Sequence, residues 1–461
     1  MQNNDVFEFR KIPFAKPPIG KLRFEKPEKY GIWAGTLDAT KFGPSCYQTL
    51  GLEKDILPNK NISEDCLHLN IYVPVNISCN SKKSVMVWIH GGGYIYGQSS
   101  MYDGSYLAVT GDVIMVTINY RLGVFGFYTS GDSAARGNYG IWDQILAIQW
   151  VKDNIASFGG DSESITIFGE SAGAFSVGIL SLIPSNKGLF QRAILQSGTA
   201  LSSYTLSSNA VTASSEIARS LNCTQKDKLM KTECVKGVRA DDVFNAFSSI
   251  KIYDLLDLYF APVIDNDLLK NDPLKLLQDT DSESFSFFRS LDVLIGTVSK
   301  ESSEFLPYVI DLQPIYNYNI TKGIPKSVLC DVLAPEISNK HYNNDSKVSA
   351  AICEKYGGAS NMEELRMNIM DAYSDFLFFV PAVQSLHLHA NGNKDKSKRY
   401  HYVFSRPSPL QSNLGVEWFK GSYHADDIMF QFPFFDWSSS DSDRFVALTF
   451  MKYWTNFAKT G

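Results

Sequence analysis

The stretch from Ser164 to Leu182, SITIFGESAGAFSVGILSL, constrains this chain more than any other. Ile165–Phe168 is almost continuously apolar, as in a strand buried on both faces, and Ala172–Leu182 reads as a helix of small and apolar residues. Between them stands Gly169-Glu170-Ser171-Ala172-Gly173. Glycine and serine are common, so G-x-S-x-G alone says little. With a strand before it and a helix after it, the pattern describes a sharp, strained turn that presents the serine hydroxyl at a helix N-terminus. The partial positive charge there favours a developing anion. A side chain at Gly169 or Gly173 would clash as the turn tightens. Ser171 is the expected nucleophile.

The rest of the first half supports the same architecture. Leu67–Val73, Val85–Ile89 and Val113–Asn119 read as strands, as later do Ala193–Gln196, Val293–Ile295 and Tyr400–Phe404. Asp143–Ile155 reads as a helix with Ile145, Ile148, Val151 and Ile155 on one face and Asp143, Asp153 and Asn154 opposite. Strand–helix alternation predicts an α/β layer fold with a mostly parallel sheet flanked by helices. The polar stretch 201–292 reads as helical excursions from it. The aromatic runs Tyr253–Phe260 and Phe376–Phe379 read first as core and second as the lining of an apolar gorge. No repeat or low-complexity linker divides the 461 residues, so one domain over 1–461 is expected. The formal charge of −6 and the absence of a long basic run exclude a nucleic-acid binder dominated by phosphate contacts. No apolar run approaches the ~18 residues of a membrane span.

Acyl transfer at a serine needs hydrogen-bond donors, a base and an acid. His90-Gly91-Gly92-Gly93 follows the strand ending at Ile89 and matches the loop whose N–H groups join that of the residue after the nucleophile, here Ala172. A dinucleotide loop fails for lack of G-x-G-x-x-G, and a simple tight turn is the plainer alternative. His90 itself reads as structural. The partners should follow in the order Ser, acid, His. Of the late histidines, His401 sits within a strand, His387 and His389 border a helix, and His341 lies in a polar loop. His424, in GSYHADDI beyond the last strand, is the expected base, with Asp426 and Asp427 as structural neighbours. The acid belongs after Leu291–Ile295, where Glu301 leads and Glu304 is the alternative.

Seven cysteines leave at least one outside any intrachain pair, and five Asn-x-Ser/Thr sequons, at Asn61, Asn76, Asn222, Asn319 and Asn344, favour a secreted chain. The N-terminal MQNNDVFEFR shows no signal peptide, so the expectation is a secretory-pathway protein whose signal is absent from this sequence.

Together these motifs resemble the type-B carboxylesterase/lipase family, which includes the cholinesterases. The resemblance is carried by IPFAKPPIGKLRF, SEDCLHLNIYVP, HGGGYIYG, NYRLGVFGF, GNYGIWDQILAIQWVKDNIASFGGD, FGESAGAFSVG, GLFQRAILQSG, HADDI and YWTNFAKTG. GDSAARGNYG, HADDI and YWTNFAKTG look most like bile-salt-activated lipase. The resemblance implies an α/β-hydrolase fold and a Ser171–Glu301–His424 triad. The family's E-G-[ST]-x-F turn falls on ESSEF, which favours Glu301. It further implies oxyanion donors at Gly92, Gly93 and Ala172, supporting roles for Glu170 and Ser197, disulfides Cys46–Cys66 and Cys223–Cys234, and ion pairs Arg23–Glu64 and Arg121–Asp161. Cys330 with Cys353 is an additional expected pair, leaving Cys79 odd. No metal or organic cofactor is implied.

Three departures accompany the resemblance. Tyr47–Asp65 holds no tryptophan to stack on a choline cation, which argues against cholinesterase activity. The chain is also expected to lack the family's first strands and its C-terminal tail. The leading expectation is a serine hydrolase of small-molecule or lipid esters. A non-catalytic adhesion protein like the neuroligins is the alternative, and an inactive fragment a third reading.

Overall fold

The computed structural model describes residues 5–49, 60–77, 82–254, 256–391, 397–409, 418–434 and 440–461. Its strands are β1 (Val6–Pro13), β2 (His68–Pro74), β3 (Lys83–Ile89), β4 (Ile114–Ile118), β5 (Gly160–Glu170), β6 (Arg192–Gln196), a small hairpin of β7 (Tyr253–Asp254) and β8 (Asp257–Leu258), β9 (Asp292–Val298) and β10 (Arg399–Phe404). Eight of them form one sheet in the order β1-β2-β4-β3-β5-β6-β9-β10. β1 and β2 pair antiparallel, as do β2 and β4, and every pairing from β4 to β10 is parallel. This is the mostly parallel, helix-flanked sheet of an α/β hydrolase. Each strand read from the sequence is present, with ends shifted by a few residues.

Period-two alternation sends side chains to two separate cores. Val85, Val87 and Ile89 of β3 and Ile165 and Ile167 of β5 face the helices Tyr139–Asn154 and Ala172–Leu180. Met86, Trp88 and Phe168 face the other way, against Phe450, Met451 and Trp454 of the helix Asp441–Thr460. Among the described residues between 201 and 292 lie five α-helices, a 3₁₀ turn and the β7–β8 hairpin, outside the main sheet.

Three features differ from expectation. β1 adds an edge strand that VFEFRKIP conceals, because its charges and the register shift between Phe9 and Ile12 break the alternation. The helix expected from Asp143 begins a turn earlier at Tyr139, and its buried face runs through Gly140, Asp143, Gln144, Ala147 and Val151, so Asp143 is fully buried rather than on the outer face. Arg121 accordingly does not pair with Asp161. It grips Asp143 with two side-chain bonds of 2.7 Å and donates its backbone N–H to the same carboxylate at 3.0 Å. Two charges neutralise each other there inside the core, where neither could remain alone. Finally, His341 ends the helix Ala334–His341 rather than lying in a loop.

The other pairings form as expected. Arg23 holds Glu64 through two bonds of 2.6 Å. Disulfides join Cys46 to Cys66, Cys223 to Cys234 and Cys330 to Cys353. Cys79 lies outside the described residues. The five sequon asparagines are all exposed, and no helix among the described residues is long and apolar enough to cross a membrane.

Candidate active site

The loops that leave the C-terminal ends of β3, β5, β6 and β9 converge, as ligand sites do in open parallel sheets. At the end of β5, Ser171 has φ 55° and ψ −124°, a strained conformation for a side-chain-bearing residue, and begins the helix Ala172–Leu180. The backbone holds it there: its N–H donates to Gln196 at 2.9 Å and its carbonyl accepts from Phe175 at 2.9 Å. The two glycines of the turn are sterically required. A Cβ on Gly173 would lie 2.0 Å from the Ile89 carbonyl oxygen, and one on Gly169 would lie 2.6 Å from both that oxygen and the Gly173 backbone. Ser171 stays partly accessible although the helix behind it is buried throughout.

The glycine loop after β3 lies against this serine. A Cβ on Gly91 would fall 3.2 Å from Ser171 Cβ and 2.7 Å from the Glu170 carbonyl oxygen. Gly92 and Gly93 adopt φ of +99° and +58°, and a Cβ on Gly92 would strike the Tyr96 carbonyl at 2.2 Å. The Gly92 carbonyl accepts from Ile95 and Tyr96, closing the loop and fixing its backbone. Gly91 is the close-contact residue that sequence reasoning overlooked, although it is part of the same H-G-G-G string. His90 is structural: buried, it stacks on Tyr120 at 4.5 Å, hydrogen-bonds the Gly91 carbonyl at 2.9 Å, and is pushed down to about 4 by burial.

His424 comes from the loop beyond β10, and Glu301 opens a short 3₁₀ turn after β9. Nδ1 of His424 lies 2.6 Å from Glu301 Oε2, and Glu301 Oε1 accepts the Val298 N–H at 2.9 Å. The acid is thereby fixed from both sides. Glu304 is exposed on the same turn and has no such bond. Two contacts that the sequence did not signal complete the mounting of the imidazole. The His424 N–H donates to Ser303 Oγ at 2.9 Å, and Phe378 packs with its ring centroid 5.0 Å from the imidazole. Phe378 belongs to the Phe376–Phe379 run, so that run is part core and part site wall.

Nε2 of His424 faces Glu170 Oε1 at 3.1 Å, and among the described contacts none joins it to Ser171 Oγ. One imidazole therefore sits between two buried carboxylates. Burial opposes charge on His424, but Glu170 and then Glu301 outweigh it and push it up to about 10. Burial raises Glu170 to about 8 despite the opposing pull of His424. Behind this pair Asp427, also raised by burial, accepts from Gln196 at 3.0 Å and Tyr402 at 2.8 Å. Asp426 caps its own loop by accepting the Tyr423 N–H at 2.7 Å. Both aspartates are held by hydrogen bonds from their neighbours. Ser197 is buried with φ 53°, its N–H bonded to the Gly296 carbonyl at 2.8 Å, so it ties β6 to β9 beneath the site.

The other histidines stand apart. His341 Nε2 bonds the Ser203 hydroxyl, buried His389 bonds the Leu291 carbonyl at 2.9 Å, His387 shares the last turn of the helix Val380–Ala390, and His401 lies in β10.

The model of the carboxylesterase family matches residues 1–461. Acylcarnitine hydrolase of Mus musculus is 33% identical over 99% of this chain and 79% of its own length. The medium-chain fatty acyl-CoA hydrolase precursor of Anas platyrhynchos is 34% identical over 98% and 80%. Neuroligin-2 of Mus musculus is 33% identical over 99% of this chain but only 57% of its own length.

Proposed function

Because this chain belongs to the carboxylesterase family, we propose that it is a serine hydrolase of carboxylic esters that works through an acyl-enzyme on Ser171. The observation that carries the reading is the 2.6 Å contact between His424 and Glu301, mounted at the sheet end that carries the elbow. Ser171 Oγ attacks the ester carbonyl carbon while Nε2 of His424 takes its proton. The N–H groups of Gly92, Gly93 and Ala172 receive the charge that builds on the carbonyl oxygen, a contribution of about 3 kcal/mol per donor in such sites. The tetrahedral species collapses as His424 returns the proton to the leaving alkoxide, which departs as an alcohol. Water, deprotonated by the same imidazole, then releases the carboxylic acid and regenerates Ser171. Glu301 orients the imidazole and stabilises its charged form.

Neuroligin-2, a relative of equal identity, favours a second reading as a binding protein. A binder has no chemical need of an ordered Ser171, Glu301 and His424, and their retention supports the hydrolase. Three disulfides and five exposed sequons support a place in the secretory pathway. The deciding experiment measures turnover of p-nitrophenyl esters of increasing acyl length by wild type and Ser171→Ala, with folding checked by circular dichroism. Loss of at least ~10³-fold in kcat is expected in the variant. A folded wild type inactive on every ester would overturn the reading in favour of the binder.

A further inference from the structure

The glycine loop that leaves β3 is held from outside itself. It runs from His90 to Gly97, and its last residue lies back on its first: a Cβ on Gly97, at φ +117°, would collide with the His90 imidazole and fall 2.8 Å from the Gly91 carbonyl oxygen. Gly91 is the residue packed against Ser171, and a Cβ on Gly92 would meet the Tyr96 carbonyl. The seat of the Tyr96–Gly97 peptide therefore sets where Gly91 and Gly92 stand.

One side chain grips Gly97 by both of its backbone groups. Gln48 Oε1 accepts the Gly97 N–H at 2.9 Å, while Nε2 donates to the Gly97 carbonyl at 2.9 Å and to the Cys46 carbonyl at 3.1 Å. Gln48 and Gly97 are both buried, so without the amide a buried N–H and a buried carbonyl would lose their partner. An amide suits the task because it offers an acceptor and a donor side by side; a carboxylate only accepts, and a thioether does neither well. The grip has a firm base. Cys46 is bridged to Cys66, just before β2, and Asn119, just after β4, joins the Cys66 carbonyl at 3.0 Å to the Ser99 N–H at 2.8 Å.

We propose that Gln48 is a positioning residue for the oxyanion-binding loop: on the hydrolase reading above, its amide fixes the Gly92 and Gly93 N–H groups through Gly97, from a segment that supplies no member of the triad. Among the described contacts it has none to Ser171, Glu301 or His424. The donors it places act on charge that exists only in the transition state, so its loss falls on kcat and leaves KM in place.

The test is Gln48→Met, which keeps the length of the side chain and removes its hydrogen bonds. One p-nitrophenyl ester gives kcat and KM. Two inhibitors report on the loop: a trifluoromethyl ketone, to which Ser171 adds so that the carbonyl oxygen becomes an oxyanion, and the corresponding carbinol, which forms no adduct. A fall in kcat of about 10- to 100-fold is expected, with a parallel loss of ketone affinity and with KM and carbinol affinity kept. Gln48→Asn, one methylene too short to span both Gly97 groups, should fall between and serves if Gln48→Met does not fold. The double variant Cys330→Ser with Cys353→Ser, which loosens the fold elsewhere, should lower the melting temperature but not kcat or ketone affinity. Wild-type kcat and ketone affinity in a folded Gln48 variant refute the role of Gln48 and spare the hydrolase; so does a loss that the carbinol or the cysteine variant shares. No turnover of any ester by folded wild type refutes the hydrolase, and this proposal with it.

Discussion

Replacing Glu170 by Gln should carry the acid limb of the pH–rate profile to lower pH. The imidazole must be neutral to take the Ser171 proton, so activity rises with pH as His424 loses its charge; whatever stabilises the imidazolium moves that rise upward. His424 stands at about 10 against an ordinary 6.5, a preference for the charged form of ~5 kcal/mol. Burial works against it, and two carboxylates supply it: Glu170 at 3.1 Å from Nε2 and Glu301 at 2.6 Å from Nδ1. Because burial is unchanged, taking away one of two comparable contacts should remove at least half, ~2.5 kcal/mol, which is about 1.8 pH units. Glutamine keeps the shape and packing of the buried side chain. Glu170 is itself raised to about 8, so the two groups titrate together and the rise is expected on the alkaline side of neutrality. The assay is kcat/KM against pH, which reports the free enzyme, for wild type and Glu170→Gln on one neutral ester. The imidazole proton resonances of His424 provide an independent titration. A wild-type limb near 6.5 that Glu170→Gln leaves in place would refute the reasoning.

Two further outcomes follow from packing and covalent structure. Gly173→Ala should lower stability by about 1–3 kcal/mol and depress turnover, because its Cβ would sit 2.0 Å from the Ile89 carbonyl oxygen and force β3 and the elbow apart; thermal unfolding and ester kinetics read both effects, and a variant with wild-type melting and turnover contradicts the close contact. Cys330→Ser with Cys353→Ser opens a closure of 23 residues, for which chain entropy gives a loss of about 3 kcal/mol; a denaturant midpoint equal to wild type would show that the bridge constrains little.

What could be read from the sequence and what could not divide along physical lines. The elbow was legible because its geometry is enforced locally: glycines that admit no Cβ, a buried strand before and a small-residue helix after. His424 followed from chain order and its loop position. Glu301 led over Glu304 by position after the strand, residue chemistry alone could not separate them, and the turn pattern of the resembled family favoured Glu301, whose side chain is the one bonded to the imidazole. Arg121 shows the opposite case. Periodicity assigns a charged residue to the solvent face, so it sets Asp143 outside, and the resemblance gives Arg121 the partner Asp161; Asp143 instead shares the buried face with Ala147 and Val151, and a buried bidentate pair results. Patterns built on hydrophobicity miss such pairs because each charge satisfies the other. The second carboxylate on His424 was hidden for a related reason. Glu170 is written beside the nucleophile, yet its approach to Nε2 depends on how β5 ends and on a loop more than 250 residues later in the chain. The same pair of buried carboxylates raises His424, so the pH profile is set by contacts that only the folded chain creates.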